Sequence, residues 1–162
     1  VQRCARDEVL GERVVGIDRA HPAPGVIEAL QLADAVIIAP SNPVVSVGTI
    51  LAVPGVRDAV ASTPAPVVAV SPIVAGAPIK GPAAPLMRAV GLEVSACGVA
   101  VCYRGVIDTL IVDQADAKLT DEIRAFGLEV VVTDTIMRER AAKRRLAEMT
   151  LNAARTATRR RP

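Results

Sequence analysis

Ala35-Val36-Ile37-Ile38-Ala39 and Pro66-Val67-Val68-Ala69-Val70 are two short uncharged runs rich in β-branched residues. Runs of this length suit strands of a parallel sheet covered on both faces, where no polar alternation is required. Apolar-rich runs at 106–112 and 128–132 extend the pattern. Between the runs, apolar residues recur at helical spacing. Val26, Ile27 and Leu30 follow the turn His21-Pro22-Ala23-Pro24-Gly25, and a helical stretch at 56–61 separates the first two strands. Leu119, Ile123 and Phe126 share one face of a helix that Gly127 ends in the left-handed conformation. Upstream, the β-branched run 12–17 reads as a further strand. The last helix is expected to begin near Asp134 or Thr135, either of which can cap it, with Ala142, Leu146, Met149 and Ala153 inward and Arg138, Glu139, Lys143, Arg144 and Glu148 outward. Alternating strands and helices predict an α/β, Rossmann-like domain with a mainly parallel sheet flanked by helices. Its crossovers are right-handed, and its ligand crevice lies beyond the carboxyl ends of the strands.

Composition narrows the function. With 162 residues, 51% apolar and 22% charged, the chain has the balance of one globular domain with a core. Pro, Gly, Asp or Arg interrupts every apolar run before the roughly 18 uncharged residues a spanning helix needs, and the start lacks the layout of a signal peptide. The expectation is a cytoplasmic protein without a membrane partner. The net charge of +2 is small and local, because Arg155, Arg159, Arg160 and Arg161 make residues 154–162 a basic, frayed tail. With no aromatic residue interleaved, nucleic acid is not the expected partner. Cys4, Cys97 and Cys102 are odd in number and lack zinc or thioredoxin spacing, so they read as reduced thiols. Tyr103 and Phe126 are the only aromatic residues, so any ring-binding wall in this chain must be aliphatic.

Two loops in the expected crevice carry the chemistry. After the first strand comes Pro40-Ser41-Asn42-Pro43-Val44-Val45-Ser46-Val47-Gly48-Thr49-Ile50-Leu51. Here Ser46, Gly48 and Thr49 would surround the start of a short helix whose free N–H groups favour an anion, with Ser41 and Asn42 adding side-chain donors. The same residue types are also ordinary turn residues and caps. After the second strand, Ser71-Pro72-Ile73-Val74-Ala75-Gly76-Ala77-Pro78-Ile79-Lys80-Gly81-Pro82 places a lone cation, Lys80, among apolar residues, with Gly76 and Gly81 permitting close backbone approach. Lys80 either meets a diphosphate or points to water. Neither loop is a G-x-G-x-x-G turn or a P-loop, which disfavours a Rossmann dehydrogenase and a P-loop nucleotidase. His21, the single histidine, sits in a Pro-rich turn without a triad partner. Asp113, Asp116 and Asp134 read as strand-end turn residues or caps rather than metal ligands.

Taken together, the S-N-P-x-x-S-x-G-x-I-L run at 41–51 with its strand from Ala33, Pro54-Gly55-Val56-Arg57, Val70-Ser71-Pro72-Ile73-Val74-Ala75-Gly76 and Lys80-Gly81 resemble the 2-phospho-L-lactate transferase family of coenzyme F-420 biosynthesis. Val112-Asp113 and Thr133-Asp134-Thr135-Ile136-Met137 are similar to the same family's C-terminal elements, so the resemblance covers most of the chain from Val14 to Leu151. It implies a transferase that moves a 2-phospholactyl or phosphoenolpyruvyl group from a guanosine diphosphate ester to the ribityl hydroxyl of the deazaflavin Fo and releases GMP. It also implies Mg²⁺ and a homodimer. Ser41, Asn42, Ser46, Gly48, Thr49, Ser71, Gly76, Lys80 and Gly81 are then the substrate-binding set, and no catalytic residue or metal ligand is assigned. The family's glycine-rich first turn and the acidic residues after it have no counterpart here. Residues 1–162 are therefore expected to be the C-terminal part of a single transferase domain, with Val1 at an artificial break. The competing class is a nucleotide- or dinucleotide-binding α/β domain without this activity.

Overall fold

The computed structural model describes residues 14–157. Strands β1 (Val36–Ile38), β2 (Val67–Val70), β5 (Thr109–Asp113) and β6 (Glu129–Thr133) form one sheet in the order β1-β2-β5-β6, and every neighbouring pair is parallel. Strands β3 (Ile73–Val74) and β4 (Ala77–Pro78) make a separate antiparallel hairpin. In the sheet Ile37 pairs with Val68, Ala69 with Leu110, and Leu110 with Val130. Central β2 is buried along its whole length, which explains why its sequence shows no polar alternation.

The strand order follows the chain order, so each crossover steps the same way across the sheet. With one hand for all crossovers, the connecting helices must share a face. A π-helix at Pro43–Gly48, α2 (Thr49–Ala52) and α3 (Val56–Ser62) join β1 to β2. Helices α4 (Ala83–Ala89) and α5 (Ala96–Cys102) lie between the hairpin and β5, and a 3-10 turn at Gln114–Leu119 with α6 (Thr120–Ala125) leads to β6. From these elements Val47, Leu51, Val60, Met87, Val99 and Ile123 pack on Val67, Ala69, Leu110 and Val112 in one core, which also encloses Tyr103. Helix α1 (Val26–Gln31) lies against α3 and adds Ile27 and Leu30 to that core. The other face of the sheet, Val68, Val70 and Ile111, meets Leu146, Ala153 and Ala154 of α7 (Arg140–Thr156). Among the described residues no single helix is long and apolar enough to cross a membrane.

The expected sheet and its helices are therefore present, with differences at element boundaries. The run 106–112 starts too early, because Val106 and Ile107 donate their N–H groups to the Tyr103 carbonyl and are buried in the turn that ends α5. The run 12–17 is no strand where it is described, since Gly16 adopts φ 79° and Ile17–Arg19 closes a 3-10 turn; residues 12 and 13 lie outside the described residues. The last helix begins at Arg140, not at Asp134 or Thr135, whose side chains are engaged elsewhere. On α7, Met149 is 37% exposed and Thr150 takes the inward position, with its hydroxyl donating to the Leu146 carbonyl at 2.8 Å. The tail expected from residue 154 is still helix through Thr156, with Ala154 buried; residues 158–162 lie outside the description.

Leu110 is fully buried at the centre of the larger core. Leu110→Ala is expected to cost about 2–5 kcal/mol, whereas Ile37→Ala, at a 43% exposed edge position, should change stability little. Urea unfolding of the full-length protein measures both.

Candidate functional site

The chain leaves β1, β2 and β6 around one open cleft of about 720 Å³ beyond their carboxyl ends. Its first wall is Pro40, Ser41, Asn42, Val45 and Ser46; its second is Ser71, Pro72, Val74 and residues 78–83; its third is Thr135, Ile136, Met137 and Arg138, with Lys143 from α7. The charged side chains among these residues are Lys80, Arg138 and Lys143, and no carboxylate or imidazole joins them.

The first wall is organised by Asn42. Its Oδ1 accepts from the N–H groups of Val44 at 2.9 Å and Val45 at 3.2 Å, and its backbone carbonyl accepts from Ser46 at 3.2 Å and Val47 at 3.1 Å. The cap is therefore Asn42 rather than Ser46, and these four N–H groups are consumed inside the turn. The expected anion site built on free backbone donors does not form here. Because two N–H groups fix Oδ1, the orientation of the amide is set, and Nδ2 is left buried without a hydrogen-bond partner among the described residues. Ser41 and Ser46 also line the cleft. Gly48 and Thr49 do not. A Cβ at Gly48 would come 2.8 Å from the Pro43 carbonyl oxygen, so glycine is needed for the tight π turn, and the Thr49 hydroxyl donates to the Val45 carbonyl at 2.9 Å.

The second wall rests on the hairpin. Ala75 and Gly76 have φ of 49° and 76°, the two positive values of a primed two-residue turn. Gly76 thus makes the turn and lies outside the cleft lining, whereas Lys80 and Gly81 belong to it. Asp116, buried in the 3-10 turn, accepts the Ala75 N–H at 3.0 and 3.2 Å and so holds the strained turn in place. Ser71 is buried, and its hydroxyl donates to the Ile73 carbonyl at 3.0 Å while accepting the Ile73 N–H at 3.2 Å.

The third wall is absent from the expected site. Asp113, at the end of β5, accepts the Ala115 N–H at 3.0 Å, and through its other oxygen accepts both the N–H and the hydroxyl of Thr135 at 2.9 Å. This carboxylate is buried. Burial works to raise its pKa, but the hydrogen bonds from Ala115 and Thr135 outweigh burial and hold it below the ordinary carboxylate value. Asp134 accepts the Ile136 N–H at 3.0 Å. Thr135 and Asp134 thus shape the loop that presents Arg138 instead of capping α7. Lys143, expected outward, is exposed yet borders the cleft, because α7 is capped at Glu139, four or five residues later than its capping signals suggest, and its first turn lies at the mouth. The loop signal was present in Thr133-Asp134-Thr135, which read as a helix start. Below the first wall, the Cys102 thiol donates to the Pro43 carbonyl at 3.7 Å, and burial pushes its pKa up; burial, then Glu122, pushes Cys97 up to about 12. Both are free thiols, and Cys4 lies outside the described residues.

Residues 2–153 match the family model described as 2-phospho-L-lactate transferase CofD. The chain belongs to this family. It is 47% identical over 141 residues to a phosphoenolpyruvate transferase of Kitasatospora aureofaciens, covering 86% of this chain and 44% of that protein. To 2-phospho-L-lactate transferases it is 42% identical in Methanosarcina barkeri, covering 88% of this chain and 45% of the relative, and 44% identical in Methanopyrus kandleri, covering 93% and 48%. The chain thus spans less than half the length of these family members. A crystal structure of a UPF0052 family protein from Bacillus halodurans superposes with a TM-score of 0.57 at 16% identity, over 81% of this chain and 46% of that one, which is a likeness of fold. The Mg²⁺ implied by the family resemblance does not fit the described residues. They hold no group of three or more potential ligands, and Asp113, Asp116 and Asp134 already accept backbone N–H groups.

Asp113→Ala leaves the Thr135 and Ala115 donors unpaired and is expected to cost about 1–3 kcal/mol. The folded carboxylate takes up its proton at lower pH than the unfolded one. Its contribution is thus complete above the unfolded value of about 4 and is lost as pH falls through the lower folded value. Stability of the full-length protein measured by urea unfolding should decline less over that acid window in Asp113→Asn than in the wild type.

Proposed function

We propose that the cleft is the donor site of a transferase, which holds a guanosine diphosphate ester of lactate or enolpyruvate for attack by the terminal ribityl hydroxyl of the deazaflavin Fo. The observation that carries this reading is a cleft whose charged lining among the described residues is entirely cationic, with Lys80 on the wall opposite the turn that Asn42 caps. The names of the relatives, phosphoenolpyruvate transferase and 2-phospho-L-lactate transferase, support the class of group transferred. In the reaction the hydroxyl oxygen bonds to the phosphorus that bears the three-carbon acid, the bridging bond to GMP breaks, and GMP carries away the electron pair. Negative charge spreads over the phosphoryl oxygens and the leaving phosphate, so cations and donors fixed beside them lower the barrier.

The division of labour follows from the walls. Lys80 neutralises the diphosphate, and Ser41 and Ser46 donate to its oxygens, while Asn42 holds the first wall in shape. Ser71 and Gly81 shape the second wall around it. Gly48, Thr49 and Gly76 keep the loops in form instead of touching substrate. Val45, Ile79 and Met137, exposed apolar side chains at the cleft, supply the aliphatic wall for a planar ring. The described lining has no base for the hydroxyl's proton, which in this reading leaves to water or to a group outside residues 14–157. Mg²⁺, the acceptor contacts and the homodimer belong to the same proposal, with the metal ligands outside residues 14–157, and the cytoplasm is the compartment proposed for it.

In the full-length protein Lys80→Ala is expected to weaken donor binding by about 1.5–3 kcal/mol, the contribution of a charge-assisted hydrogen bond. Asn42→Ala should act in the same direction, while Arg144→Ala, which removes an exposed pair with Glu148, should change nothing. Calorimetry with the donor ester, beside GMP release on adding Fo, measures all three. Unchanged affinity and rate in both cleft variants would refute the assignment.

A further inference from the structure

We propose that Arg138 and Lys143 form a second anion subsite in this cleft, specific for the carboxylate of the donor's three-carbon acid. The inference rests on the donor reading above and adds the feature by which the enzyme distinguishes the acid from a neutral group.

Lys80 stands on the hairpin wall, whereas Arg138 ends the loop after β6 and Lys143 lies in the early part of α7. The diphosphate diester carries two negative charges and the acid a third, so one lysine leaves an anionic group unmatched. Two other exposed cations have carboxylate partners: Arg124 pairs with Asp121 at 3.2 Å and Arg144 with Glu148 at 2.7 Å. Arg138 and Lys143 pair with no carboxylate among the described residues, although Glu139 precedes Lys143 by the four residues that favour a helical ion pair. Ile136 and Met137 beside them line the same wall, so it offers apolar contact for a methyl or methylene group next to cationic contact for a carboxylate. The backbone that presents Arg138 is fixed, with Thr135 held by Asp113, and the Ile136 carbonyl accepting the Arg138 N–H at 3.1 Å. A planar guanidinium on a fixed loop suits bidentate binding of a carboxylate, which a lysine cannot reproduce.

Two ligands and four variants of the full-length protein test this. The ligands are the guanosine diphosphate ester of lactate and that of propan-2-ol, which keeps the diphosphate diester and has a methyl group where lactate has its carboxylate. By calorimetry the wild type is expected to bind the lactate ester at least about tenfold more tightly, the lower range for one charge-assisted contact. In Arg138→Ala and Lys143→Ala that ratio should fall towards one, mainly by loss of lactate-ester affinity, and Arg138→Lys should restore only part of it. Lys80→Ala should weaken both esters alike and keep the ratio. A ratio unchanged in Arg138→Ala and Lys143→Ala, whether both affinities fall or neither does, overturns the subsite while leaving the donor reading in place. If the wild type binds neither ester, the donor reading itself fails and takes the subsite with it. Because both side chains are exposed, the variants are expected to fold, and circular dichroism of each checks it.

Discussion

Parallel strands must all deliver their carboxyl ends to the same edge, and there each chain has to turn away without the ladder partners it has just used. In this protein a short polar side chain solves that problem at every exit. Asn42 accepts the N–H groups after β1, the Ser71 hydroxyl closes on Ile73 after β2, Asp113 serves Ala115 after β5, and Asp134 serves Ile136 after β6. Two carboxylates also reach sideways. Asp113 grips the loop after β6, and Asp116 grips the hairpin that follows β2. The second and third walls of the cleft are thus tied to one another through the end of β5, while the first closes on its own Asn42.

That solution changes how the cleft can meet an anion. A loop that spends its N–H groups on its own side chains keeps its shape but offers a ligand no backbone donors. In the proposed donor site, what this wall leaves to meet an anion is side chains: Ser41 and Ser46, with the three cations on the other walls. A buried donor without a partner costs on the order of 1–3 kcal/mol. The same Asn42 oxygen that caps the turn fixes that donor in place, so its orientation cannot be relaxed by flipping the amide.

The sheet was legible because its strands are short runs that need no polar face, and the crossover rule then placed the helices. Leu119, Ile123 and Phe126 with Gly127 at φ 85° show a helix whose spacing and end residue agree. The errors arose where an apolar or polar residue had two possible occupations. Val106 and Ile107 are apolar because they are buried, yet they close a turn instead of extending a strand. Thr135 is a capping residue by type, but Asp113, 22 positions earlier, holds it. No local pattern encodes a contact of that span, and with it the whole third wall of the cleft was invisible from spacing alone. The first two walls were visible since each follows its strand directly; the detail of which glycines serve the turn and which face the cleft was not.

Tyr103, enclosed in the larger core, is the one tyrosine in a chain without tryptophan. Burial, with a smaller influence from Cys102, pushes its phenol well above the ordinary value near 10. The folded chain therefore keeps this ring un-ionised in alkali that would convert a free tyrosine to tyrosinate. Within this chain, the ultraviolet change of that ionisation is an optical marker of core opening at the end of α5.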